Sequence, residues 1–464
     1  MHARTKTWQQ ALILSAVLFS IAPVAMAATL AAPGTPVAPP VQVQSSFDIP
    51  PVTDFSLPIA ADALGNYLVA WNGYAPGLGS DQSYLRLFDM NGNPRGEQFR
   101  AENCAGLFFK KSVSMAPNGK FVVACISGVI KDGSPVGGIR AQVYHADGSP
   151  QGLPIDVPLQ FPTAKLVLKD DHPDLEGVSV AMKPDGSWVL AWAVHHDNLY
   201  TKDQQVFATG EGAIYAQRYN AQNEPVGALT LIEQRQRTGL QATWILGSTE
   251  VFDPYAFQCV VDGTGDYSIV WKLRAGVVLH PAELELRSSF YMRSYHADGT
   301  PLGLPTQLSL DGRVSPLSSS YFSVTTLGND RVLAWSLQPG TYVDQLKGIK
   351  QSVKHLYMRR YSAYGVPKTA AVEIATAASP ASGDESLQPF VISSNDAGTL
   401  ALAWIDPSLN ASYGEYLSAD GKLISPKFPI STGNTLSALV MPNNNLLTLW
   451  GSLFAQVLQG PPSH

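Results

Sequence analysis

Charge is scarce in this sequence. Asp, Glu, Lys and Arg make up 15% of its 464 residues, against roughly a quarter in an ordinary soluble domain. The formal net charge is −6, which argues against nucleic-acid binding driven by bulk positive charge. Cysteine is scarcer still: Cys104, Cys125 and Cys259 are the whole set. They contain no Cys-x-x-Cys pair, so the common zinc and dithiol motifs are missing. Gly-x-Ser-x-Gly, a phosphate-cradling glycine loop, a dinucleotide fingerprint and His-Glu-x-x-His are also absent. No cofactor is therefore expected. After residue 27 no apolar run approaches the roughly 20 residues of a spanning helix. What is plentiful is turn-formers and rings, with 39 Gly, 34 Pro, 9 Trp, 18 Tyr and 17 Phe. That much aromatic surface excludes a disordered chain, and the lack of a Gly-X-Y period excludes a collagen.

The first 27 residues read as a signal peptide. Arg4 and Lys6 precede an apolar stretch from Ala11 to Ile21, and Ala25-Met26-Ala27 fits the small-x-small cleavage rule. The chain is thus expected to be exported, to the periplasm or beyond. In such a compartment three cysteines leave at least one unpaired. Cys104 and Cys125 are candidates for a bridge, and the competing reading makes all three small buried apolar side chains.

A repeat runs through the rest of the chain. Its clearest copy is VSVAMKPDGSWVLAW, residues 178–192, followed by AIYAQRYNAQNEPVG, residues 213–227. The second segment of each copy ends at Trp71, Cys125, Trp192, Trp271, Trp335, Trp404 or Trp450. Each copy contains two apolar segments joined by a tight turn such as Pro184-Asp185-Gly186, a hairpin signal. An alternating third segment and a second tight turn, such as Asp298-Gly299-Thr300-Pro301, lead to a short fourth. Four antiparallel strands repeating every 45 to 80 residues or so describe a propeller blade. The expected fold is therefore all-β, a seven-bladed β-propeller of four-stranded blades, with the Trp as the knob packed between neighbours.

The last copy stops after three strands, and its fourth is found at the other end. Gly34-Thr35-Pro36-Val37 with Pro40-Val-Gln-Val-Gln44 matches Gly299-Thr300-Pro301-Leu302 with Pro305-Thr-Gln-Leu-Ser309. Residues 40–46 are expected to close the seventh blade, after a linker at 28–39, within one domain spanning 40–460. The blades fall at about 54–103, 104–160, 174–234, 251–310, 314–376, 385–432 and 433–460.

On these motifs the chain resembles the β-propeller repeats of secreted and surface-attached bacterial proteins, of the type DG-aliphatic-Trp followed by Tyr-x-Ala-Asp-Gly-Thr-Pro-x-Gly. The resemblance implies the fold over nearly all of the chain and carries over no catalytic residue.

Propeller topology puts the turns between strands one and two, and three and four, on one face, where all are short. The other face receives Asn72–Ser83, Ser127–Gly138, Ala193–Gly212, Lys272–Ser289 and Ser336–Lys354, read as long loops, and the crossovers Gln160–Leu175 and Glu233–Val251. Loops on rigid scaffolds carry function, so binding is assigned there. Three groups of candidates fall on that face. His195-His196-Asp197 has metal-ligand residue types, although neighbours on an extended strand point apart. Asp54, Asp174, Glu176, Asp253 and Glu385 precede first strands and could ring the channel mouth; carboxylates about 5 to 9 Å apart support glycoside chemistry. Lys347, Lys350 and Lys354 offer a basic patch, and Trp244 belongs to no repeat position. The bland alternatives are solvated loops and turn-capping aspartates. The first functional reading is an exported binding protein recognising an extracellular or envelope protein or glycan. The second is a glycan-active hydrolase or lyase using the channel-mouth carboxylates.

Overall fold

A computed structural model of the protein describes residues 31–44, 58–74, 81–105, 111–131, 134–158, 174–202, 205–240, 250–280, 283–310, 322–337, 353–378, 390–406, 409–432, 435–450 and 453–462. Their strands form seven four-stranded antiparallel sheets set in a ring, with no helix among the described residues. Blade 1 comprises Ile59–Ala61, Tyr67–Tyr74, Asp81–Phe88 and Phe99–Ala105. Blade 2 comprises Lys111–Met115, Phe121–Lys131, Ser134–Tyr144 and Ile155–Val157. Blade 3 comprises Asp174–Met182, Trp188–Lys202, Gln205–Tyr219 and Pro225–Leu240. Blade 4 comprises Glu250–Val261, Tyr267–His280, Glu283–Tyr295 and Thr306–Gln307. Blade 5 comprises Phe322–Leu327, Asp330–Leu337, Val353–Tyr361 and Val372–Ala378. Blade 6 comprises Phe390–Ser394, Leu400–Asp406, Ala411–Leu417 and Phe428–Ser431. Blade 7 comprises Thr435–Val440, Leu446–Trp450, Phe454–Leu458 and, from the far end of the chain, Val41–Gln42.

That N-terminal strand completes the last blade as its fourth member. Val37 and Val43 N–H donate to the Val457 and Leu453 carbonyls, each at 2.9 Å, and Pro36 bridges Leu458. The bridge has the same form as Tyr295↔Pro301 in blade 4 and Tyr361↔Pro367 in blade 5. The stretch read as a linker therefore supplies part of the blade.

The core is divided among the seams between blades. The Trp on the second strand reaches into the preceding blade: Trp192 is in one cluster with Ala124, Ile126, Ile139 and Val157 of blade 2. Trp71, Trp271, Trp335 and Trp404 do the same at their own seams. Each of these Trp rings packs against an aromatic opposite it on the third strand, from Tyr84 in blade 1 to Phe454 in blade 7, with centroids 5.9 to 6.4 Å apart, stacked in every blade but the sixth, where Trp404 and Tyr413 are tilted. Blade 2 breaks this rule, since Cys125 faces Arg140. A disulfide from Cys125 to Cys104 takes the place of the stack. Cys104 lies in the outer strand of blade 1 rather than at the start of blade 2, so the bond crosses the seam. Cys259 is a buried free thiol, which burial pushes up to about 12. Only this third cysteine behaves as a small apolar side chain.

First strands neighbour one another around the ring and line its centre. Their inward edges would leave backbone N–H groups unpaired. Short polar side chains of the preceding blade accept them: Ser112 from Val180, Ser179 from Cys259, Gln258 from Val324, Ser323 from Ile392 and Ser393 from Val440, at 2.9 to 3.2 Å. This explains why the first segments of the repeat are rich in serine.

Candidate functional site

One face is built of tight turns. In blade 1, Asp62 N–H donates to the Asn66 carbonyl and Gly65 N–H to the Asp62 carbonyl, at 2.9 and 3.0 Å. Gly65 has a φ of 81°, a conformation that L side chains resist. Side-chain acceptors hold the other turns: Asp147 Oδ1 takes the Ser149 hydroxyl and N–H at 2.6 and 2.9 Å. Those bonds hold the Asp147 carboxyl below the ordinary range. Aspartates on this face are thus spent on turn geometry.

The opposite face differs from the sequence expectation. The segments 127–138, 193–212 and 272–289, read as loops, are mostly strand. In blade 3 the second and third strands stay paired from Trp188↔Tyr219 to Lys202↔Gln205, and in blade 4 from Tyr267↔Tyr295 to His280↔Glu283. Ten residues of strand separate Trp192 from Lys202, so the blade 3 hairpin rises about 30 Å above its anchor. The fourth strand of blade 3 follows it to Leu240. The rim is therefore raised into sheets on consecutive blades.

Immediately above the Trp belt lies a polar tier that the sequence reading missed. Asn72 follows its Trp anchor, is buried, and accepts the Ser83 hydroxyl at 3.0 Å and the Lys111 ammonium. Gln82 is buried beside them, and Lys272, one residue past Trp271, is only 3% exposed. A signal existed: the position after the anchor is Asn72, Lys272 and Ser336 in three blades, but Ile126, Ala193 and Ile405 in others.

Register regroups the sequence candidates. Asp174 is the Cα partner of His195, His195 of Gly212, and Gly212 of Arg235, so these four form one row across blade 3. His196 belongs to the next row, with Glu211 and Gln236, and Asp197 to the one after, with Gly210 and Arg237. The triplet His195-His196-Asp197 is therefore split by the pleat, and Asp174 joins its first and third members. Ala193 and Ile214, in the row two positions below, pack against Trp271 and Leu273 of blade 4. The His195 row has the same parity and so belongs to the face on the blade 4 side. Arg235, at its outer end, has its guanidinium 5.9 Å from the Tyr291 ring centroid of blade 4.

Glu176 occupies a register break in the first strand of blade 3, and Asp253 a longer break between Phe252 and Phe257. Lys354 pairs with Ala377 in blade 5. Asp54, Glu385, Trp244, Lys347 and Lys350 lie outside the described residues, as does the segment 1–27. Among the described residues, no three His, Cys, Asp or Glu side chains gather as a metal site, and no helix is long and apolar enough to cross a membrane.

No family model matches the chain, and no curated protein does. Solved structures do. An α-L-arabinanase of Penicillium chrysogenum complexed with arabinobiose is 12% identical, with 91% of this chain and 98% of that one covered and a TM-score of 0.38. The polysaccharide lyase Uly1 is 9% identical over 85% and 88%, with a TM-score of 0.43. The β-propeller domain of the Trilobed protease from Pyrococcus furiosus is 9% identical over 88% and 93%, with a TM-score of 0.39. Likenesses this distant assign no activity to the chain.

Proposed function

We propose that this chain is an exported β-propeller that recognises a glycan on its raised rim. The observation that carries the reading is the asymmetry of the two faces: one is closed by tight turns, and the other is built up into paired strands on blades 2, 3 and 4. Strand extensions make a rigid platform, and rigid platforms place binding groups better than loops do. The polar tier of Asn72, Ser83 and Lys111 and the acid, imidazole and guanidinium residue types of blade 3 are of the kind that recognise hydroxylated ligands. Export is supported by residues 1–27 and by the Cys104–Cys125 disulfide, since such bonds persist in oxidising compartments.

A glycan array probed with the mature protein tests this. Binding should be lost, with melting temperature unchanged, when residues 197–210 are replaced by a two-residue turn. Undiminished binding by that variant would refute the assignment to the rim. A second reading, turnover of the bound glycan, is favoured by one observation, the pairing of Asp174 with His195. Cα partners of these two types carry the groups of an acid–base pair. Release of new reducing ends or unsaturated products, abolished in both Asp174→Asn and His195→Gln, would establish it. Binding without product would leave a lectin-like role.

A further inference from the structure

The seam between blades 1 and 2 is fastened unlike the rest of the ring. It has Cys125 where the other blades set a tryptophan. Hydroxyl fasteners are missing there as well. Ser112 and Ser114 of blade 2 accept the Val180 and Met182 N–H groups of blade 3, at 3.0 and 2.9 Å. The same rows of blade 1 hold Pro58 and Ala60, whose side chains have no acceptor to offer blade 2. What the seam has instead comes from the outer strand of blade 1. Gln82 and Tyr84, two residues apart, face Ala105 and Arg100, five apart, so that strand bulges. The bulge carries Asn103 and Cys104 into the seam. Asn103 is fully buried, and its Nδ2 donates to the Val123 and Arg140 carbonyls at 3.2 and 3.4 Å. Cys104 is bonded to Cys125.

The two ends of this seam differ. Towards the tight turns, Phe99 of blade 1 packs on Tyr144 of blade 2 with centroids 5.9 Å apart, and Phe121 stacks on the same ring at 4.9 Å. Ala63 N–H donates to the Pro117 carbonyl there, at 3.0 Å. Cys125 lies four residues along the strand from Phe121, about 13 Å nearer the rim. At that level the disulfide, the Asn103 amide and the Lys111 ammonium on Asn72 cross the seam. Water competes for hydrogen bonds of this kind, but not for a covalent bond.

We infer that the Cys104–Cys125 bond is a redox-sensitive latch on the rim end of this seam. When a dithiol reduces it, blades 1 and 2 part above, while the aromatic cluster holds them below and the other six seams keep the ring closed. One thiolate of the dithiol attacks a bridge sulfur, forms a mixed disulfide and expels the other cysteine as a thiolate. The second thiol of the reductant then closes its own disulfide and releases the remaining cysteine. Two electrons pass to the protein, and the two protons of the dithiol end on Cys104 and Cys125. Both sulfurs are buried, so attack waits on local opening of the seam. Parting of the blades uncovers Asn72, Ser83 and Lys111, so the redox state sets access to the polar tier. The latch is independent of what the rim binds.

Amide hydrogen exchange of the mature protein, oxidised and after dithiothreitol, tests this. In the reduced protein residues 99–105 and 121–126 should exchange about tenfold faster or more. Residues 324–333 of blade 5 should exchange as before. Lys111 should become open to acetylation by an N-hydroxysuccinimide ester. Cys104→Ala with Cys125→Ala should behave as the reduced form with or without reductant. Exchange that rises equally in every blade, or does not rise, overturns the inference. So does a reduced or double-alanine protein that unfolds outright, or a bridge that dithiothreitol fails to open in the folded protein.

Discussion

Glu415 shows how one position can depart from the logic of its repeat. The third strand places Arg86, Gln142, Gln217, Arg293, Arg359 and Gln456 at the corresponding site. All six are donors; Arg86 reaches the Val43 carbonyl, Arg359 the Ser309 carbonyl and Gln456 the Ala38 carbonyl. Blade 6 has a buried acceptor instead, and Glu415 Oε2 has no hydrogen-bond partner. Burial pushes this carboxyl above its ordinary range, against the pull of Lys427. The folded state therefore holds the proton more tightly than the unfolded chain does. Its stabilising contribution is complete below the ordinary carboxylate range and is lost as pH rises through the raised folded value. Glu415→Gln should add about 1 kcal/mol at pH 7, the worth of one hydrogen bond, and little at pH 4; urea midpoints at the two pH values measure this. Arg331 is the opposite case. It stands where Tyr67, Phe121, Trp188 and Tyr267 stand in other blades, is 1% exposed, and binds Asp262 at 3.1 Å and Ser268 at 2.6 Å across the seam from blade 4. Arg331→Ala would strand a buried carboxylate and should cost about 3–5 kcal/mol, read as a lower unfolding midpoint.

At the scale of the element, the disulfide and the Trp stack are two answers to one need, which is to fix a second strand against the blade before it. The bridge closes a loop with a sequence separation of 21 residues, for which chain entropy suggests about 3 kcal/mol. Reduction, or Cys104→Ala with Cys125→Ala, should therefore lower the melting temperature; Cys104→Ala with Cys125→Trp should recover part of the loss. An unchanged melt on full reduction would deny the bond this role. Anchors and turns were legible from the sequence because both are local: Trp at the end of an apolar run and Asp-Gly between two runs need no partner to be recognised. The bridge was left open because sequence spacing alone cannot show that two strands of different blades meet. The tall hairpins were misread for another reason. Residues 195–212, HHDNLYTKDQQVFATGEG, carry none of the regular apolar and polar alternation that identifies a strand. The row joining Asp174 to His195 was hidden for the same reason, since it exists only once two strands are paired in register.

For the whole molecule, seven seams share the core and no blade buries its apolar faces alone. Removing residues 28–46 should lower the melting temperature sharply, because it exposes an edge of the last blade and uncovers Leu453, Ala455 and Val457. A melt that does not move would mean that the ring holds without its fourth strand. The fastening joins residues very far apart in the chain: the contact between Gln456 and Ala38 spans 418 positions. Such closure adds only modest entropy beyond that of a much shorter loop, but it cannot form until Phe454–Leu458 has been made. During synthesis the strand Val41–Gln42 must wait, unpaired, for Phe454–Leu458 to be made. A nascent or prematurely terminated polypeptide therefore keeps two complementary sticky borders, one at each end. Ring closure is thus withheld from any chain that stops short of the third strand of the seventh blade.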